Sequence, residues 1–260
     1  MRLADLIVKS VLTYPMHILL ATFLILFASF ASANENPWSV SLETGAAWQS
    51  RNDVRNPGDT GTRFSIADTV GEGPYHFYRF ESFINIGDKN QLRFLVAPFR
   101  ISESGNPDKD IFFVDQSFNA GQSTKFTYKF NSYRVSYRWL YKDDPSWRVW
   151  LGGTAKIRDA EIATRQGSIK AKDSNVGFVP LFNLYSDYQM NNKWRFIVDF
   201  DGLVGPQGRA IDMALKLQFD IDKHWYLGAG YRTLEGGVDN DKVYNFAWFN
   251  YALVSVGYRH

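Results

Sequence analysis

Three carboxylates lie close together in the chain, Asp199-Phe200-Asp201 and then Asp212. Grouped carboxylates can orient a water or accept a proton when a base shares their site. Among the histidines beyond residue 33, only His76 lies beside a long connection, because His224 sits in a short turn and His260 is terminal. Paired with Ser65 or Ser82 as nucleophile, His76 would suit deacylation or acyl transfer. No serine-histidine-acid spacing accompanies it. The candidate catalytic residues are therefore His76, Asp199, Asp201 and Asp212. Asn52, Asp53, Asp59, Asp68 and Glu72 offer oxygens to Ca²⁺, but their spacing fits no calcium loop. There is no phosphate loop, no HExxH and no run of cysteine or histidine ligands, so neither a metal nor another cofactor is expected.

The elements that must position these residues begin after an export signal. Residues 1–33 carry Arg2 and Lys9, then the uncharged run Ile18 to Phe30, then Ala31-Ser32-Ala33. That order reads as a secretory signal peptide. The apolar run would cover about 20 Å as a helix, against a hydrocarbon core of about 30 Å, so it is too short for an anchor. Residues 34–260 then form one domain. The 260-residue chain has no cysteine, so after export its stability must come from a large core, a closed sheet or surrounding lipid. A formal net charge of +2 gives no reason to expect nucleic acid as a partner.

Beyond residue 34 the apolar pattern has period two throughout. Trp38, Val40 and Leu42 alternate with Ser39, Ser41 and Glu43; Phe196, Val198 and Phe200 alternate with Arg195, Asp199 and Asp201. Ten such strands are countable. In nearly all of them one face is aromatic or aliphatic and the other is charged. Five tryptophans, Trp38, Trp139, Trp147, Trp194 and Trp225, fall near the mature start or beside short connections, while Trp48 and Trp248 mark the opposite ends of their strands. Two aromatic rings at two levels are what membrane interfaces select. Connections alternate short and long, the long ones expected at 51–74, 102–122 and 159–174. In the fourth strand the parity breaks: Phe126, Tyr128 and Phe130 against Tyr133, Val135, Tyr137 and Trp139, which predicts a bulge near Asn131-Ser132.

Together these features resemble a small bacterial outer-membrane β-barrel. The stretches Gly230 to Trp248 and Gly205 to Asp212 also resemble a family of such proteins, a resemblance that brings no particular activity. It implies an all-β, antiparallel, up-and-down transmembrane barrel of about ten strands, with short periplasmic turns and longer extracellular loops. It further implies a monomer in the outer membrane, with outer-membrane lipids, lipopolysaccharide and the assembly machinery as partners. The terminal aromatic usual in such barrels is replaced here by His260, two residues beyond Tyr258. Ten-strand aspartyl-type proteases of that membrane use carboxylates with a histidine, which this chain lacks beside Asp199 and Asp201.

The inward faces should then hold a charge network of Glu43, Arg79, Glu81, Arg93, Lys129, Arg134, Arg138, Lys156, Arg158, Arg195, Asp199, Asp201, Asp212, Lys216 and Arg232. Three uses of such a lumen stay open. It can be a salt-bridged polar core with a structural role, or a narrow porin-like path or cavity for small polar or anionic solutes. Otherwise it serves an outer-leaflet enzyme acting on lipid A or peptides.

Overall fold

Long alternating runs build long strands, because successive side chains must leave a pleat on opposite faces. The structure, a computed structural model, describes residues 37–206 and 208–260; the expected signal peptide lies outside the described residues. The chain runs β1 (Trp38–Arg55), β2 (Phe64–Ser65), α1 (Ile66–Val70), β3 (Tyr75–Ile86), β4 (Asn90–Ala97) and β5 (Arg100–Gly105). It continues through β6 (Ile111–Phe113), β7 (Gln116–Phe118), β8 (Thr124–Asp144), β9 (Trp147–Gln166) and β10 (Ile169–Gln189). The last four are β11 (Trp194–Gly205), β12 (Gly208–Asp220), β13 (Trp225–Asp239) and β14 (Tyr244–Arg259).

Neighbours pair antiparallel, and β14 returns to β1 from Ser39↔Arg259 to Arg55↔Tyr244. The result is a closed ten-strand up-and-down barrel. Closure leaves no sheet edge running the length of the wall, which hydrocarbon would not tolerate. β4 and β5 make one broken stave, separated at Pro98-Phe99, and both pair with β8. Proline cannot donate to the ladder, so the break falls where the sequence places it.

Outward-facing residues divide the wall by height. Trp139, Trp147, Trp194 and Trp225 are exposed at the short-turn end, and Trp48 and Trp248 are exposed at the other. From Trp38 to Trp48 the strand rises about 33 Å, or about 25 Å of thickness at a tilt near 40°, the height of an outer-membrane apolar band. Above that band the outward positions of β8 to β10 turn polar: Lys125, Lys129, Asp159, Glu161, Arg165, Lys170 and Lys172.

Three expectations fail here, for one reason. The connection expected at 159–174 is not a loop, since β9 and β10 stay paired to the two-residue turn Gly167-Ser168, with Gly167 at φ +59°. Nor is there a bulge at Asn131-Ser132: the β8–β9 ladder runs without a slip from Lys125↔Arg165 to Leu140↔Trp150, and its only shift lies between Leu140 and Lys142. The same inward parity carries Phe126 and Tyr128 above and Arg134 and Arg138 below. Above the apolar band the barrel inverts, apolar inside and polar outside, as a protein in water must. The third concerns residues 51–74, expected as one long connection: β1 runs on to Arg55, and β2 and α1 fold within the rest. Arg51 and Arg63 do pair with Asp53, but Phe64 and Ile66 enter the lumen.

The inner apolar cluster roofs the barrel. Phe64 and Ile66 from the first long connection meet Ile111, Phe113 and Phe118 of the β6–β7 hairpin and the wall residues Phe77, Phe99, Phe126, Tyr128, Phe249 and Tyr251. Ser65 caps α1 by accepting from the Asp68 amide at 3.1 Å, which fixes the turn that sends Ile66 inward.

Candidate functional site

Below that roof the inward positions become charged, and register places like beside like. Asp201 stands directly opposite Asp212 on β11 and β12, and Arg134 directly opposite Lys156 on β8 and β9. Along one sheet such neighbours repel. Closure of the barrel sets the two pairs against each other across the lumen. Arg134 donates to Asp201 through Nη1 and to Asp212 through Nη2, both at 2.6 Å. Asp212 also accepts from Arg232 at 2.6 Å and from Arg79 at 3.2 Å. Asp201 accepts from Arg93, from Thr154 at 2.6 Å and from Asn183 at 2.7 Å. Asp199 is shared by Arg93 at 3.1 Å and Arg138 at 3.2 Å.

The next layer joins Glu43 to Lys216 at 2.9 Å and to Arg232 at 3.0 Å. Glu81 is held more loosely, with Arg79 at 3.8 Å and Arg93 and Lys216 at 4.0 Å, and its Oε1 has no hydrogen-bond partner. A cavity of about 20 Å³ beside it is the size of one water. Arg138 closes the layer toward the short-turn end, its guanidinium 4.5 Å over the Tyr185 ring and 5.2 Å over Phe83. Lys156 lies 4.7 Å over Phe130, where charge meets roof. Glu43, Arg93 and Arg138 are 0% exposed. A water-filled path would have to touch them, and none reaches them.

The sequence-derived residues are not all brought together. Asp199, Asp201 and Asp212 meet, together with Glu43, Arg79, Glu81, Arg93, Arg134, Arg138, Lys156, Lys216 and Arg232. Three do not join. Lys129 projects outward, pairing with Asp159 at 2.8 Å, because it alternates with the inward Tyr128. Arg158 is inward but higher, donating to Asn175 at 2.6 Å. Arg195 belongs to a separate group near the short turns, bound to Asp187 at 2.7 Å and Asp220 at 3.0 Å.

His76 is on the other side of the wall. It pairs in register with Ala46 and points outward, exposed, while the flanking Phe77 points in. Ser65 is occupied as the α1 cap, and Ser82 faces outward, buried among neighbouring strands. No histidine among the described residues reaches the three aspartates. Of the oxygens considered for Ca²⁺, Asp53 is taken by Arg51 and Arg63, and Asn52 donates to Gln49 at 3.0 Å.

Sequence reading missed Thr154 and Asn183, which share the Asp201 carboxylate, and Gln91, which accepts from Arg138 at 3.1 Å. Their inward parity was legible. Their partners sit on strands that only closure brings near.

A solved structure shares this architecture. The crystal structure of the outer-membrane protease OmpT from Escherichia coli superposes with a TM-score of 0.55 over 89% of this chain and 99% of that one, at 8% identity. The fold is that of a small outer-membrane β-barrel. The translocator domain of the autotransporter NalP from Neisseria meningitidis matches at a TM-score of 0.45 and 13% identity, over 94% of this chain and 96% of that one. No protein-family model matches the chain, and no curated protein matches it in sequence. At 8% identity the likeness to OmpT is one of fold alone, and nothing of that protein's chemistry follows.

Proposed function

We propose that the protein is a sealed, monomeric barrel of the outer membrane, delivered by its signal peptide, with a structural role played at its outer surface. The observation that carries this reading is the double seal: a fully buried charge network at mid-height and an apolar roof above it. Neither a solute path nor a reactive cleft suits that interior. Asp199, Asp201 and Asp212 each accept from at least two guanidiniums, which leaves a poor proton acceptor, and His76 lies outside the wall. In planar bilayers the purified barrel should give no unitary conductance across pH and salt. Discrete, reproducible steps would overturn the reading in favour of a pore.

Lipopolysaccharide is the surface partner that charge favours. On the outward face above the apolar band, Lys125 stands opposite Arg165 and Arg165 opposite Lys170. Like charges in register destabilise a sheet unless an anion bridges them. The acids nearby are already engaged: Lys129 holds Asp159, and Lys172 donates to Glu161 at 2.8 Å, which keeps the Glu161 carboxyl below its ordinary range. A row of cations standing above the lipid suits the phosphates of the lipopolysaccharide core. Reversing the row (K125E, R165E, K170E) should cut the lipopolysaccharide that co-purifies with the folded barrel by several-fold. Unchanged retention would remove this partner from the proposal.

A further inference from the structure

A proline opens a notch in the barrel wall. β10 stays paired with β9 along its full height, from Ile169↔Gln166 to Tyr188↔Trp147, but its ladder with β11 ends at Phe182↔Gly202. β11 runs on to Gly205 paired with β12 alone. The Gln189 amide donates to Ser146 on the β9 side, and the Met190 amide to Trp194 on the β11 side. Antiparallel bonds alternate between the two neighbours, so the even-numbered residues of β10 face β11. Pro180 is the first of these past Phe182, and Val204 would stand opposite it. With no N–H to give, Pro180 ends the ladder there, and at this deepest unpaired position no amide is left facing lipid.

Height puts the notch at the top of the apolar band. On the outward face Phe178 stands opposite Ile157, and the next outward pair up, Val176↔Asp159, is where carboxylates begin. Phe178 and Phe182 form one lip and Val204 the other, with Phe178 64% and Val204 70% exposed. Leu203 has the inward parity of Asp199 and Asp201 yet is 46% exposed, so the gap reaches the inner side of the wall. Asn175, inward by the same alternation, is exposed as well.

A cation lies at that height. Arg158 is the register partner of Gly177, and its Nη2 donates to Asn175 Oδ1 at 2.6 Å. A Cβ on Gly177 would stand 3.2 Å from that nitrogen, so glycine lets the guanidinium lie over β10, the strand whose far edge borders the notch. Among the described residues no carboxylate pairs with Arg158, and Asp173, two positions from Asn175, is taken by Asn56 at 2.7 Å.

We propose that the notch seats a phosphorylated lipid of the outer leaflet, one acyl chain against Phe178, Phe182 and Val204 and the phosphate on Arg158. An uncharged chain would leave Arg158 without a counter-ion, and a free phosphate would leave the apolar lips uncovered. A lipid phosphate supplies both, at the height where headgroup meets chain. A second copy does not fit: two barrels inserted the same way bring their β10 edges together parallel and crossed at about twice the strand tilt, roughly 80°, so the backbones cannot pair. The site rests on the outer-membrane placement proposed above and not on the Lys125, Arg165 and Lys170 row.

Native mass spectrometry of the barrel released from micelles, its fold verified by heat-modifiable mobility, counts the lipid it holds. Given lysophosphatidic acid, which has one chain and one phosphate, the wild type should retain a single molecule. Arg158→Gln, and Val204→Asp at the exposed lip, should each retain about tenfold less, and monoacylglycerol, lacking the phosphate, should bind the wild type about tenfold more weakly. Excess inorganic phosphate should not displace the lipid. The triple variant K125E, R165E, K170E should retain it in full, which separates this site from the cationic row. The proposal is overturned by no retained lysophosphatidic acid, by wild-type retention in folded Arg158→Gln or Val204→Asp, by monoacylglycerol binding as tightly, by displacement with inorganic phosphate, or by loss of the lipid in the triple variant.

Discussion

Asp212→Asn is expected to destabilise the folded barrel by about 3–5 kcal/mol, the loss that follows when one partner of a buried ion pair is removed and the other stays. Asp212 takes hydrogen bonds from Arg79, Arg134 and Arg232, all nearly inaccessible to water. An amide keeps the shape and one acceptor but cannot neutralise three guanidiniums in a medium of low dielectric. The measurement is the urea midpoint of reversible unfolding in micelles, with unchanged slope. A second substitution separates charge from packing. Arg79→Met in the Asp212→Asn background should recover about 1 kcal/mol or more, because the cation whose hydrogen-bonded carboxylate was Asp212 goes with it. If Asp212→Asn unfolds like the wild type, the network contributes no stability, and a catalytic role for the three aspartates regains ground.

Phe249→Ala should cost about as much, roughly 3–5 kcal/mol, through a different mechanism. Phe249 is 1% exposed and packs edge-on against Phe99 at 5.0 Å and beside Tyr128 at 5.6 Å. It sits where wall and inserted connections meet, so its truncation leaves a cavity that stiff neighbouring strands cannot collapse to fill. The β6–β7 hairpin, held to the wall largely through Ile111, Phe113 and Phe118, should become more open to proteolysis. Conductance should still be absent, because the charge network below is a second and separate seal. A loss below about 1 kcal/mol would show that the roof is loosely packed. Conducting steps in this variant would show that the roof alone closes the barrel.

Much of the wall was legible in sequence. Trp38, Trp139, Trp147, Trp194 and Trp225 mark one rim and Trp48 and Trp248 the other, because hydrocarbon imposes one polarity on a face and its interfaces impose aromatic rings. Above the lipid the same alternation carries the opposite polarity. Phe126, Tyr128 and Phe130 look like a phase slip only if the lumen is assumed polar along its whole length. Once the strand leaves the lipid, water is outside and the inside becomes the dry side. Inward parity is preserved while polarity reverses. Residues 159–174 have the composition of a loop for the same reason, since Asp159, Glu161, Lys170 and Lys172 are outward strand residues in water.

Alternation by itself determined that the chain forms antiparallel strands and which residues share a face, because parity is a local property of the pleat. Across the height of the apolar band it determined that charges of both signs point one way. Closure decided what those charges do. Asp201 and Asp212 are register neighbours that repel, as are Arg134 and Lys156, and neither pair has a sequence signal naming its complement. The partners stand on strands far apart in the chain, joined only when β14 meets β1 and the lumen narrows to the reach of a guanidinium. The same closure sent Lys129 outside and left His76 on the lipid-facing side of the wall, because inside and outside do not exist until the sheet has curled.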